Sequence, residues 1–237
     1  MEKIIERFFP QLLCFFIPSF YEDVDFSKEI TFLDKEMEQL SLKAAKGAKY
    51  VDKLVKVYLK DGVEQWILIH IEVQGDPERE FSLRMFRYFY RIFDRYGERM
   101  IVSIAILIGS KRIHDVGRYK LKSYGSGVEF QYLSSRLMDY DKANLEEDSN
   151  PISMVVLASC EKERAKQKGE KFNTKLYLIR KLYEKGYKKD EIERLLEFID
   201  WVLQLSDEEE ELIGEKIKEL DEEVKKMPYV TVLRDSV

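Results

Sequence analysis

Cysteine and histidine are scarce in this chain, two of each among 237 residues. Cys14 and Cys160 lie far apart with no CxxC spacing, and two histidines add little to them as zinc ligands. The sequence therefore predicts no structural metal site and a reducing compartment, which places the chain in the cytoplasm. It also lacks any apolar run near the ~20 residues that cross a bilayer. The greasiest stretch, "FFPQLLCFFIPSFY" at 8–21, is broken by Pro10 and Pro18. With neither a basic start nor a small-residue cleavage site, it reads as a core-forming lead-in and not as a signal or membrane helix. No GxGxxG follows a strand, no GxxxxGK is present, and no GxSxG elbow appears. These absences exclude a dinucleotide fold, a P-loop and a serine-hydrolase elbow.

What is present is a globular composition, 45% hydrophobic and 36% charged. The length suits one domain, or one domain with an appendage. The net charge of −5 hides an uneven distribution: residues 1–44 carry −4, residues 45–136 carry +6 and residues 137–237 carry −7. A polyanion would meet the middle of such a chain.

Helical spacing over 32–45, "FLDKEMEQLSLKAA", aligns Leu33, Met37, Leu40 and Ala44 as one apolar stripe. Two runs rich in Val, Ile, Leu, Tyr and Trp then flank Asp61-Gly62, a β-hairpin signal. A helix follows, with Phe81, Met85, Tyr88, Ile92 and Tyr96 on one side, and "RMIVSIAILIGS" reads as a strand buried on both faces. The glycine-dotted stretch 109–127 reads as a surface loop, and "VEFQYLSSR" as a fourth strand. From Pro151 onward only helical patterns occur, at 152–166, 172–185, 190–203 and 207–226. Asp190 with Glu193, and Ser206 with Glu209, have capping-box spacing.

The hairpin carries the chemistry. Side chains two apart in a strand share a face, so His70, Glu72 and Gln74 lie together, and Asp52 shares a face with Leu54 and Lys56. A register opposing Val55 with Ile69 and Val57 with Ile67 keeps the apolar rows together and sets Asp52 opposite Glu72, which predicts a three-residue loop or a bulge at the turn. Paired carboxylates repel unless a cation sits between them. Hard oxygen ligands suit Mg²⁺ or Mn²⁺, and that points to phosphodiester chemistry. The same spacing equally describes two polar residues at a sheet edge, solvated or paired with Lys46, Lys49 or Lys53. Arg84, Arg87, Arg91 and Arg95 form a basic stripe that can grip DNA phosphates or simply be a solvated helix face. His70 fits a proton carrier or ligand, and more readily a satisfied half-buried histidine.

The series "VDKLVKVYL", "WILIHIEVQGD" and "RMFRYFYRIFDRYG", with the upstream "FLDKEMEQL" and the late "FIDWVLQL" and "KKMPYVT", resembles the bacterial recombination-promoting nuclease and transposase-like (Rpn) family of the PD-(D/E)XK superfamily. The resemblance runs from about residue 8 to residue 231 and implies an α/β fold. It would comprise a restriction-endonuclease-like core with a mixed central sheet flanked by helices (1–150), then an all-helical C-terminal region (151–237). It implies a Mg²⁺- or Mn²⁺-dependent DNA endonuclease that promotes recombination, with Asp52 and Glu72 as metal ligands and Glu36 as an added acid from the first helix. Gln74 stands where the superfamily pattern has lysine, and it would orient the attacking water without supplying positive charge. That replacement keeps a second reading open, a catalytically weak or inactive nuclease fold that binds nucleic acid or protein. Many nucleases that cut both strands work as homodimers, so a dimer fits the first reading.

Overall fold

The computed structural model describes residues 2–33, 35–36, 50–72, 81–97, 101–109, 116–168 and 170–226; within these, the side chains of 50–51, 71–72, 166–168 and 221–226 are not described. The greasy lead-in folds as short helices α1 (Glu2–Arg7), α2 (Phe9–Phe16) and α3 (Pro18–Asp23). Pro10 and Pro18 both occupy helix first turns, where a missing N–H is no loss. Phe8, Phe9, Leu12 and Leu13 are buried, so the lead-in does supply core.

The chain then forms β1 (Thr31–Phe32), β2 (Tyr50–Tyr58) and β3 (Glu64–Glu72). The helix expected from residue 32 begins later: Phe32 pairs with Val55 of β2, helical backbone is seen at Lys35 and Glu36, and the rest of that expected helix lies outside the described residues. Helix α4 (Phe81–Tyr96) leads to β4 (Ile101–Leu107). β2 is antiparallel to β1 and β3, whereas β3 and β4 run parallel, as a connection through a helix permits.

Both faces of this sheet are buried. On one, Leu54, Trp66 and Leu68 meet Phe81, Met85, Tyr88 and Ile92, the predicted apolar side of α4. Met85 and Ile92 are wholly inaccessible, and each contributes about 1.5–3 kcal/mol by leaving water. The other face holds Val55, Val57, Ile67 and Ile69. Lys53 is the polar exception there, and its ammonium donates to Glu6 of α1 at 2.7 Å.

Residues 116–136 depart from expectation. Much of the predicted loop is β5 (Arg118–Ser123), paired with β6 (Ser126–Gln131) in a separate two-stranded sheet. The predicted fourth strand is two strands, β6 and β7 (Leu133–Arg136), and only β7 joins the main sheet, parallel to β4. The change of sheet occurs at Tyr132, whose N–H donates to Gly117 at 3.0 Å. Glycines suggested a loop, yet one of them is a packing requirement: a Cβ on Gly127 would stand 2.5 Å from the Leu121 carbonyl oxygen. The main sheet thus has order β1-β2-β3-β4-β7, and the fold is α/β, a mixed sheet flanked by helices.

The chain divides into two compact units after Tyr140. The second contains α5 (Lys142–Glu147), α6 (Pro151–Lys168), α7 (Lys171–Glu184), α8 (Lys189–Val202) and α9 (Asp207–Lys226). Ser206 and Glu209 cap α9 reciprocally: the Ser206 N–H donates to the Glu209 carboxylate at 3.1 Å, and the Glu209 N–H to Ser206 Oγ at 3.3 Å. Helix α8 starts earlier than its Asp190 cap predicted. Glu191 accepts from the Lys188 N–H at 2.9 Å, which leaves Asp190 in the first turn, where its charge suits the helix dipole. No helix among the described residues is long and apolar enough to cross a membrane.

Candidate active site

Turn chemistry sets the register of β2 against β3. The Leu59 N–H donates to the Val63 carbonyl at 2.8 Å, so Lys60-Asp61-Gly62 forms the expected three-residue loop, placed one residue earlier than the expected register needs. Gly62 has φ +89°, and the last residue of such a loop normally takes this left-handed conformation. A loop of 61–63 would force it on Val63, a β-branched residue that resists positive φ. Consequently Asp52 opposes His70, and Glu72 opposes Tyr50. The expected Asp52–Glu72 pair is corrected: the two occupy neighbouring, diagonal positions.

Asp52 is the hub of a buried polar group beneath α4. Its side chain retains 8% accessibility and that of His70 none. Oδ1 lies in close hydrogen-bond contact with Nδ1 of His70, and Oδ2 accepts from the Tyr88 hydroxyl at 2.9 Å. Across the imidazole, Nε2 faces the Arg84 guanidinium at 3.4 Å. A neutral ring protonated on Nδ1 satisfies both neighbours, donating to the carboxylate and accepting from the guanidinium. Phe81 closes the site, edge-on to His70 with centroids 5.4 Å apart and with Arg84 5.4 Å over its face. A carboxylate and a guanidinium are thus bridged by one imidazole in a nearly dry place, where electrostatic interactions are strong.

The other expected site residues are distributed unevenly. Glu36 is half-buried in a helical segment. Glu72 ends β3, with its side chain outside the described set, and Gln74 lies outside the described residues altogether. Arg84 leaves the solvent-facing stripe to meet His70, Arg87 and Arg95 are exposed, and Arg91 is half-buried.

The donor chemistry fits a hard divalent cation. The contacts from His70 and Tyr88 take one lone pair on each Asp52 oxygen and leave others, and carboxylates that bind metals are commonly anchored by such hydrogen bonds. Among the described residues no group of three or more His, Cys, Asp or Glu converges as a ligand set.

Two residues of the cluster were undervalued in the sequence. Tyr88 fell on the apolar stripe, and only its hydroxyl gave a signal, since a buried tyrosine O–H usually finds a partner. His70 shared a face with Glu72 by strand parity, but its pairing with Asp52 required the register. Compared with protein-family models, curated proteins and solved structures, the chain matches none of them.

Proposed function

We propose that the chain is a metal-dependent endonuclease that hydrolyses phosphodiester bonds of DNA in the cytoplasm. The observation that carries this reading is the nearly buried Asp52 carboxylate, held by His70 and Tyr88 in mid-strand, next to the position of Glu72 in the register. Its setting is consistent with the resemblance of the sequence to recombination-promoting nucleases. Mg²⁺ or Mn²⁺, when bound, would neutralise phosphate charge and acidify a water. Asp52 and Glu72 would anchor the ion, Gln74 would orient a water through its amide, and Glu36 would add a carboxylate from the first helix. The guanidiniums of Arg87 and Arg91 would hold backbone phosphate, with Arg84 bracing the site through His70. Cutting of both strands would engage two copies of the chain.

One observation favours a rival, a nuclease fold that binds nucleic acid or protein without cutting. Both Asp52 oxygens already accept hydrogen bonds from the protein, and Gln74 supplies no cation. Supercoiled plasmid nicking with Mg²⁺ or Mn²⁺ separates the two. We expect wild type to cut and Asp52→Ala and Glu72→Ala each to lose at least about 100-fold, in line with removal of a principal electrostatic group. Intact plasmid with either metal, or variants that cut like wild type, would leave the binding module as the surviving account.

A further inference from the structure

The β5–β6 hairpin has no role in the site above, although it contains a dense set of exposed cations. The pairing places Arg118 opposite Gln131, Lys120 opposite Glu129 and Lys122 opposite Gly127. One face therefore presents three cations against one acid, and all of these residues are exposed. Glu129 contacts Arg118 closely and Lys120 at 3.4 Å, whereas Lys122, the cation nearest the tip, faces a glycine.

The opposite face anchors the ribbon to α4. Tyr119 stacks on Phe86 with centroids 5.1 Å apart, and Phe130 meets Phe89 at 4.8 Å. Only the base is held in this way, since Leu121 is 58% exposed and Tyr124, at the tip, is fully exposed. Ser123 pairs with Ser126, so Tyr124-Gly125 is a two-residue turn. Both residues have positive φ, 47° and 86°. Such turns prefer Asn-Gly, and a bulky aromatic in the left-handed region is unfavourable. This turn keeps a tyrosine at a strained position with its side chain fully exposed.

We propose that the hairpin docks on duplex DNA, with Lys120 and Lys122 on the phosphates and Tyr124 entering a groove. The assignment rests on the reading that DNA is the partner. A two-stranded ribbon has the width that the major groove admits, and phosphate contacts supply sequence-independent affinity. Because α4 also contributes Arg84 and Tyr88, DNA held by the ribbon would be held on the helix that braces Asp52.

The test measures anisotropy of a fluorescein-labelled mixed-sequence duplex across a salt series, with plasmid nicking on the same samples. Lys120→Ala combined with Lys122→Ala should weaken binding about tenfold and reduce the salt slope by about two. Tyr124→Asn should weaken binding about fivefold while raising the melting temperature, a combination that a purely structural tyrosine would not give. Wild-type binding by both variants, or no duplex binding by wild type, overturns the proposal. If the variants lose binding while wild type never cuts, the hairpin assignment stands and the nuclease reading falls. If wild type cuts and the variants bind like it, the reverse holds.

Discussion

Each unit of the molecule buries a charged group, and the two are satisfied in opposite ways. In the helical unit the ammonium of Lys175 is wholly inaccessible, yet it meets Glu210 at 2.7 and 2.6 Å and Asp200 at 2.8 Å. An ammonium has three donors, so its bonding is complete, and it ties α7 to α8 and α9. In the α/β unit, where Lys53 is likewise buried and meets Glu6, the nearly buried Asp52 carboxylate meets the neighbouring His70 and Tyr88, with the Arg84 guanidinium on the far side of the imidazole. Two described donors reach Asp52 although a carboxylate has about four acceptor sites. One cluster closes on itself as a structural tie, and the other retains capacity for something more.

That contrast is breakable. The largest expected effect is from His70→Ala, which removes the link on both sides and leaves a buried carboxylate and a half-buried guanidinium without it. Urea unfolding should show a loss of about 2–4 kcal/mol, from a nearly buried carboxylate left short of a hydrogen-bond donor and from the cavity of the deleted ring; a loss below about 1 kcal/mol would mean that His70 does not hold the site together. In the helical unit the asymmetry should depend on which partner is removed. Glu210→Gln leaves Lys175 buried with one carboxylate and should cost about 2–3 kcal/mol. Lys175→Met removes the buried charge and leaves two half-exposed acids that water can solvate, so it should cost less than about 1.5 kcal/mol. Equal losses would contradict the picture of a closed lysine hub.

Tyr88→Phe sharpens the other side of the comparison. It deletes only the hydroxyl that donates to Asp52, at about 1.5–2 kcal/mol for a hydrogen bond to a charged group, and leaves the ring packed. If the plasmid assay shows cutting, this variant should reduce it more than its small stability loss explains. The smallest effect concerns the thiols. Cys14 is exposed and Cys160 buried, and burial pushes the Cys160 thiol from 9.0 up to about 11. Because the unfolded chain ionises first, stability from this group is complete below about 9 and fades as pH rises toward about 11. A colourimetric thiol titration at neutral pH should count one cysteine in the native protein and two in denaturant.

Much of the architecture was legible because period and burial act locally. The stripe Phe81, Met85, Tyr88, Ile92 marked α4, and the C-terminal helices stood close to their predicted bounds. The hairpin was legible too, and its true register was available from Gly62, since only a loop ending there avoids a positive φ at Val63. The β5–β6 ribbon was obscured because β5 alternates its apolar residues with Arg118, Lys120 and Lys122, and because the glycines around it resemble a loop.

By itself the sequence determined which segments bury a face, where the turns fall and where the positive charge gathers, since all three depend on neighbours within a few residues. Only the tertiary structure decided that Tyr88 and Arg84 of the next helix close on Asp52 and His70, and that Lys175 is a buried hub. These contacts join residues 14 to 36 positions apart, and they depend on how each helix is rotated against the sheet or its neighbouring helices, which packing selects and to which local pattern is nearly blind.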